Sequence, residues 1–143
     1  MPIIEEFSTE MIQTFLESRG LEYQEVSGAS FVVQETDEET GCNLSIWLNV
    51  VPSRTPAYLI NIYSDRRFPL EAKPQLLAVC NTWNDEQSIP TAIVNEDAEK
   101  GVGEILFSQM IRLGPGIHQE LFDDFTLSAI NGARRFWSQL HNR

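Results

Sequence analysis

Between residues 43 and 63 the chain changes face at every step. Leu44, Ile46, Leu48 and Val50 alternate with Asn43, Ser45, Trp47 and Asn49. After a turn at Pro52–Pro56, Tyr58, Ile60 and Ile62 alternate with Leu59, Asn61 and Tyr63. A period of two is the signature of strands with one buried face. Strands joined by a short turn pair antiparallel, and the apolar side of the resulting sheet has to be covered by another layer.

The flanking segments supply that layer. Met11, Ile12, Phe15 and Leu16 recur at helical spacing after Ser8 and Thr9, either of which suits a helix N-cap. Gly20 predicts a left-handed stop, with Leu21 folding back onto Leu16. Phe31-Val32-Val33 is a β-rich run ending near Glu35, and Asp37-Glu38-Glu39-Thr40-Gly41 reads as the hairpin loop after it. A second helix is expected from about Lys73 to Asn84, with Pro74 in its first turn and Leu76, Leu77, Val79, Cys80 and Trp83 facing the core. Strands are expected at Thr91–Asn95 and Val102–Leu113, the latter with Ile105, Phe107 and Ile111 on one face and Leu106 and Met110 on the other. Ile117, Leu121, Phe125, Ala129, Ala133 and Trp137 then form an i, i+4 row on a last helix, widened by Phe122, Ile130, Phe136 and Leu140. A break in that helix is expected near Asp123–Thr126, with Thr126 as the cap of a second segment. The predicted fold is α+β: an antiparallel sheet of about five strands with helices packed on one side, in the order α-β-β-β-α-β-β-α, forming one domain over residues 1–143.

Charge narrows the partners. With 21 acidic and 10 basic residues among 143, the formal charge is −11. A field of that sign repels nucleic-acid backbones and anionic membrane surfaces. The opening Met1-Pro2-Ile3-Ile4-Glu5-Glu6 lacks the basic-then-apolar pattern of a secretory leader, and no stretch has the length of a membrane span. Cys42 and Cys80 are far apart and in no metal-binding spacing, which fits a reducing cytoplasm better than a disulfide framework.

One set of residues resembles a known family. Phe68-Pro69-Leu70 leads into a helix ending Asn81-Thr82-Trp83-Asn84, and Pro90 starts the next strand. A turn with Gly101, a strand closing on Leu113-Gly114 and a helix carrying Phe136-Trp137 follow, while Gly20-Leu21-Glu22-Tyr23 after the first helix is compatible as well. The pattern resembles the YbjN family of bacterial sensory transduction regulators. The resemblance implies a fold similar to type III secretion chaperones, such as Tir chaperone-like proteins. Those are small acidic α+β dimers that hold segments of other proteins. It implies neither an enzymatic activity nor a cofactor, and it carries over no catalytic residue.

No motif demands chemistry. Asp37, Glu38 and Glu39 lack the ligand spacing of a calcium loop and read as a solvated tip. His118, Glu120, Asp123 and Asp124 contain metal-ligand types, but acidic residues at a helix start answer the helix dipole equally well. Gly114-Pro115-Gly116 lacks a phosphate-loop lysine and reads as a turn. His141 has no evident partner, and Trp83 and Asn84 read as an anchor and a helix end. Arg66-Arg67 and Arg134-Arg135 are basic pairs suited to surface positions or to ion pairs across a dimer.

The expected function is therefore a non-enzymatic, protein-binding module, chaperone-like or regulatory, without cofactor or metal. It is expected to be soluble, cytoplasmic and homodimeric. Trp47, Tyr58, Phe122 and Phe136 are the residues expected near a dimer or partner interface. The alternatives are an enzyme with a carboxylate site at Glu120, Asp123 and Asp124, and a structural subunit of a larger assembly.

Overall fold

A computed structural model describes residues 3–52, 54–87 and 89–141. Met1 and Pro2 of the amino-terminal reading, and Ser53 of the Pro52–Pro56 turn, lie outside the described residues.

Helix α1 (Thr9–Ser18) buries Met11, Ile12, Phe15 and Leu16, the four residues that set its period. It stops at Gly20, whose φ is +66°. Gly20 N–H donates to Glu17 O at 3.1 Å and Leu21 N–H to Leu16 O at 3.0 Å. These are the two bonds of a Schellman end. Ser8 occupies the N-cap with extended backbone, although its hydroxyl makes no capping bond.

The strands are β1 (Gln24–Ser27), β2 (Ser30–Thr36), β3 (Asn43–Val51), β4 (Ala57–Ser64), β5 (Phe68–Pro69), β6 (Thr91–Asp97) and β7 (Val102–Arg112). Every pairing is antiparallel, with β1, β2, β3, β4 and β7 side by side and both β5 and β6 on β7. The sheet thus has seven strands rather than about five, and two of them precede the second helix unannounced. Strand β1 is exposed at all four residues, so it has no buried face to write a period of two. Strand β5 is two residues long, with Phe68 opposite Gly103 and Pro69 opposite Val102.

Inward residues of the sheet, among them Phe31, Leu44, Ile46, Leu48, Tyr58, Ile60, Ile62 and Phe107, join buried residues of α1, α2 (Lys73–Glu86) and α3 (Gln119–His141) in one core. A turn of 3-10 helix, Leu70–Ala72, leads into α2. Leu76, Cys80 and Trp83 of α2 are buried, but Leu77 is 40% exposed and does not belong to the core face.

Helix α3 runs through Asp123–Thr126 without a break. Thr126 is fully buried; its hydroxyl donates to Phe122 O at 3.0 Å and accepts from Tyr58 at 2.7 Å. A residue read as a helix restart is instead a polar tie between helix and sheet. The i, i+4 row does not coincide with the core stripe near the start of the helix. Four residues turn about 40° beyond a full revolution, so a long row slants around the helix. Leu121 is 50% exposed, and the buried stripe passes through Phe122, Ala129, Ile130, Ala133, Phe136 and Trp137.

The residues that carry the family resemblance form a clamp. Trp83 Nε1 donates to Pro90 O at 2.9 Å. Asn84 does not end α2, which continues to Glu86. Its side-chain amide donates to Ala92 O at 2.9 Å and accepts from Ala92 N–H at 2.8 Å, acting as a strand neighbour for the edge of β6. Phe68 stacks on Trp137 with ring centroids 6.4 Å apart.

Candidate interaction surface

Because the helices contribute to the same core as the inward strand residues, no helix among the described residues covers the opposite face of the sheet. Register sets what it displays. Val32 faces Trp47, Trp47 faces Asn61, Asn61 faces Ser108 and Ser108 faces Thr91. One row along, Asn49 faces Leu59 and Leu59 faces Met110. On the other side, Ser45 faces Tyr63, and Leu106 faces Ile93.

None of these side chains is charged, in a chain with 31 charged residues among its 143. Among the described residues, charges appear only toward the ends of the same strands, at Asp97, Glu104 and Arg112. Trp47, Leu59, Tyr63 and Leu106 are half-buried, while Met110 is 51% and Ile93 41% exposed. The polar groups between them are partly engaged already: Ser45 donates to Gln34 Oε1 at 2.7 Å and Asn49 Nδ2 to Leu59 O at 3.0 Å. Covering this face therefore gains apolar burial without stripping water from an ion.

Of the residues expected at an interface, Trp47 lies on this face. The structure puts Tyr58, Phe122 and Phe136 in the core instead, at 0%, 0% and 3% exposed. Tyr58 and Phe122 stack at 4.6 Å, and Phe136 packs edge-on against Trp83 and Phe107. Their apolar bulk is spent within the chain. Leu59, Ile93, Leu106 and Met110 were the informative residues. Their signal was the apolar, uncharged second face of the same alternation that revealed the strands.

The other candidates do not converge. His118 Nδ1 accepts from Leu121 N–H at 3.1 Å and serves the start of α3. Glu120 and Asp124 are exposed, and Asp123 accepts from Gln119 Nε2 at 2.8 Å. That gives an acid–base site nothing enclosed to act in. Among the described residues no group of three His, Cys, Asp or Glu is placed to hold a metal ion, and no helix is long and apolar enough to cross a membrane. Asp37 Oδ1 accepts from Glu39 N–H within its turn.

The arginine pairs are engaged inside the chain. Arg66 donates to Thr40 O, Arg67 meets Glu104 at 3.1 Å, and Arg135 lies over Trp83. Arg134 holds Glu35 through Nε at 2.9 Å and an Nη nitrogen at 2.7 Å. The fork raises the guanidinium's proton affinity further. Cys42 and Cys80 are buried free thiols; burial pushes Cys80 up to about 11 and Cys42 upward from its ordinary value.

A family model described as "Putative bacterial sensory transduction regulator" matches residues 8–142. The chain belongs to that family, YbjN. A solved structure agrees at the level of fold: "Crystal structure of YbjN, a putative transcription regulator from E. coli" superposes with a TM-score of 0.69, covering 94% of this chain and 92% of that one at 12% identity. No curated protein matches the chain. Membership in this family is compatible with a regulatory module.

Proposed function

We propose that this YbjN-family chain is a non-enzymatic, protein-binding regulatory module that works as a homodimer, with the open sheet face as the contact between two copies. The observation that carries the reading is the absence of charge from the centre of that face in a chain of net charge −11. Two such chains repel one another through most of their surfaces. The neutral apolar face is where they meet at least electrostatic cost. A basic partner, by contrast, is drawn to the acidic remainder.

Size supports the same reading. Five strands at about 4.8 Å spacing and about eight residues at 3.4 Å rise give a face of roughly 650 Å² in projection. A standard interface buries about 800 Å² per partner once side-chain relief is counted. The two copies together leave their helical and acidic surfaces outward for a client polypeptide, in the manner of the secretion chaperones that the sequence resembles. The module acts in the cytoplasm, a placement supported by its two unpaired buried thiols.

Light scattering across a concentration series tests the dimer. The wild-type chain is expected at twice its own mass near 50 μM, a concentration at which about micromolar affinity holds most copies paired. Trp47→Glu places a charge in the centre of the face and is expected to return the monomer. A monomeric wild type, or a Trp47→Glu variant that stays dimeric, contradicts the reading.

A further inference from the structure

Met11 and Met110 are the methionines among the described residues, and they differ sharply in surroundings. Met11 is 3% exposed, in the core beneath α1. Met110 stands on the open sheet face and is 51% exposed, more than Ile93 on the same face. In register it lies opposite Leu59 of β4, and Leu59 lies opposite Asn49 of β3.

A thioether is apolar, yet its sulfur is open to oxidation. A hydroperoxide gives its outer oxygen to the sulfur and the O–O bond breaks. The proton of the transferred hydroxyl passes to the departing oxygen. The sulfur is oxidised to a sulfoxide, and the peroxide is reduced to water or an alcohol. A flexible apolar side chain thereby becomes a polar one, a change that disrupts contacts built on methionine. The in-register neighbours offer the new oxygen no free donor. Leu59 has none in its side chain, and Asn49 Nδ2 is committed to Leu59 O at 3.0 Å. Along β7 the neighbours on that face are Ser108 and Arg112, the latter toward the strand end. A sulfoxide drawn to that end or to water leaves the face, and one that stays carries polar surface into an apolar contact.

We propose, resting on the sheet-face homodimer, that Met110 is an oxidation site through which a hydroperoxide separates the two copies. Pairing covers Met110, so oxygen transfer occurs in the unpaired fraction, and the sulfoxide then opposes re-pairing. A two-fold contact uses Met110 twice, so two oxidised side chains act on one dimer. The other sulfur atoms of the described residues are shielded. Cys42 and Cys80 are buried at 1% and 3% exposed, as Met11 is. The response therefore belongs to one residue, placed on the face where the copies meet.

Hydrogen peroxide in fixed excess, added to the full chain, tests the site. Peptide mass spectrometry is expected to find an added oxygen at Met110 while Met11 stays unmodified. Oxidation of Met110 should run at least about threefold slower at about 100 μM chain than at about 1 μM, because mass action leaves a smaller unpaired fraction. Light scattering across a concentration series should then give a dimer dissociation constant raised by roughly thirtyfold or more, the effect of two polar groups placed in an apolar contact. Met110→Gln, similar in length with a polar end, should weaken the untreated dimer likewise. Met110→Leu has no sulfur at this position, so its own dissociation constant should agree before and after peroxide within about twofold. A wild-type chain already monomeric before treatment overturns the dimer and this site together. The site alone is overturned, with the dimer left standing, by any of four results. These are a dimer that persists with Met110 fully oxidised, equal oxidation rates at both concentrations, a Met110→Gln chain that pairs as wild type does, and a Met110→Leu dimer that peroxide separates.

Discussion

Tyr58 and Thr126 share a buried hydrogen bond that joins the middle of the sheet to the middle of the last helix. Its two ends are not equivalent. Thr126 also donates to Phe122 O, so the tyrosine hydroxyl has Thr126 as its acceptor. Tyr58→Phe removes the hydroxyl and leaves Thr126 bonded to its helix, with an expected loss of about 1 kcal/mol. Thr126→Val strands the buried hydroxyl of Tyr58, with an expected loss of about 2–3 kcal/mol. Urea unfolding of both variants checks the order; equal losses contradict it. Alkaline pH acts on the same core. Cys80 is raised from near 9 to about 11 by burial, and Tyr58 is raised as well. The folded state therefore holds these protons more tightly than the unfolded chain. Stability present below pH 9 is expected to fall as pH rises toward 11, by up to about 1.4 kcal/mol per pH unit for each group in its window. Urea midpoints at pH 8 and pH 10.5 measure this, and Cys80→Ala should show the smaller decline.

At the scale of elements, what was legible depended on one-sided burial. Strands β3 and β4 announced themselves because Leu44, Ile46, Leu48, Tyr58, Ile60 and Ile62 are buried while their neighbours are not. Strand β1 was silent because neither of its faces is buried, and β5 is too short to show any period. The continuity of α3 was hidden for another reason: Thr126 reads as a cap unless its partner Tyr58, 68 residues away, is known. The candidate surface was half legible. Trp47 lay in the alternation, but whether Tyr58, Phe122 and Phe136 turned inward depended on packing that spacing alone does not specify. Asn84 shows the same limit. Its residue type suggested a helix end, whereas its amide occupies the edge of β6. An open edge invites pairing with another chain. Asn84→Ala is expected to lose about 1–3 kcal/mol in thermal or urea unfolding and to aggregate sooner on heating, because both Ala92 groups lose their partner. Gly132 marks another close contact, between α3 and the loop before β6. A Cβ there would stand 2.5 Å from Pro90 Cδ and 3.0 Å from Ile89 O. Gly132→Ala is expected to lower the melting temperature despite the better helix propensity of alanine, with a net loss of about 1–2 kcal/mol. A rise in melting temperature contradicts that contact.

The whole molecule has two unlike sides. On one, three helices and an antiparallel sheet enclose aromatic clusters. On the other, strands β3, β4, β6 and β7 present Trp47, Leu59, Tyr63, Ile93, Leu106 and Met110 among uncharged polar neighbours. The chain's acidity is excluded from the centre of that face, and this asymmetry is what a homodimer would use. A two-fold contact matches each face with itself, so residues of one row recur across the axis. The most direct measurement is an isotope-filtered nuclear Overhauser spectrum of a sample mixed from labelled and unlabelled copies. The account predicts cross-peaks between the Met110 methyl of one copy and Trp47 or Leu59 protons of the other. Intermolecular peaks arising instead from the exposed helical residues Leu77 and Leu121, or none at concentrations where the dimer should form, would contradict it.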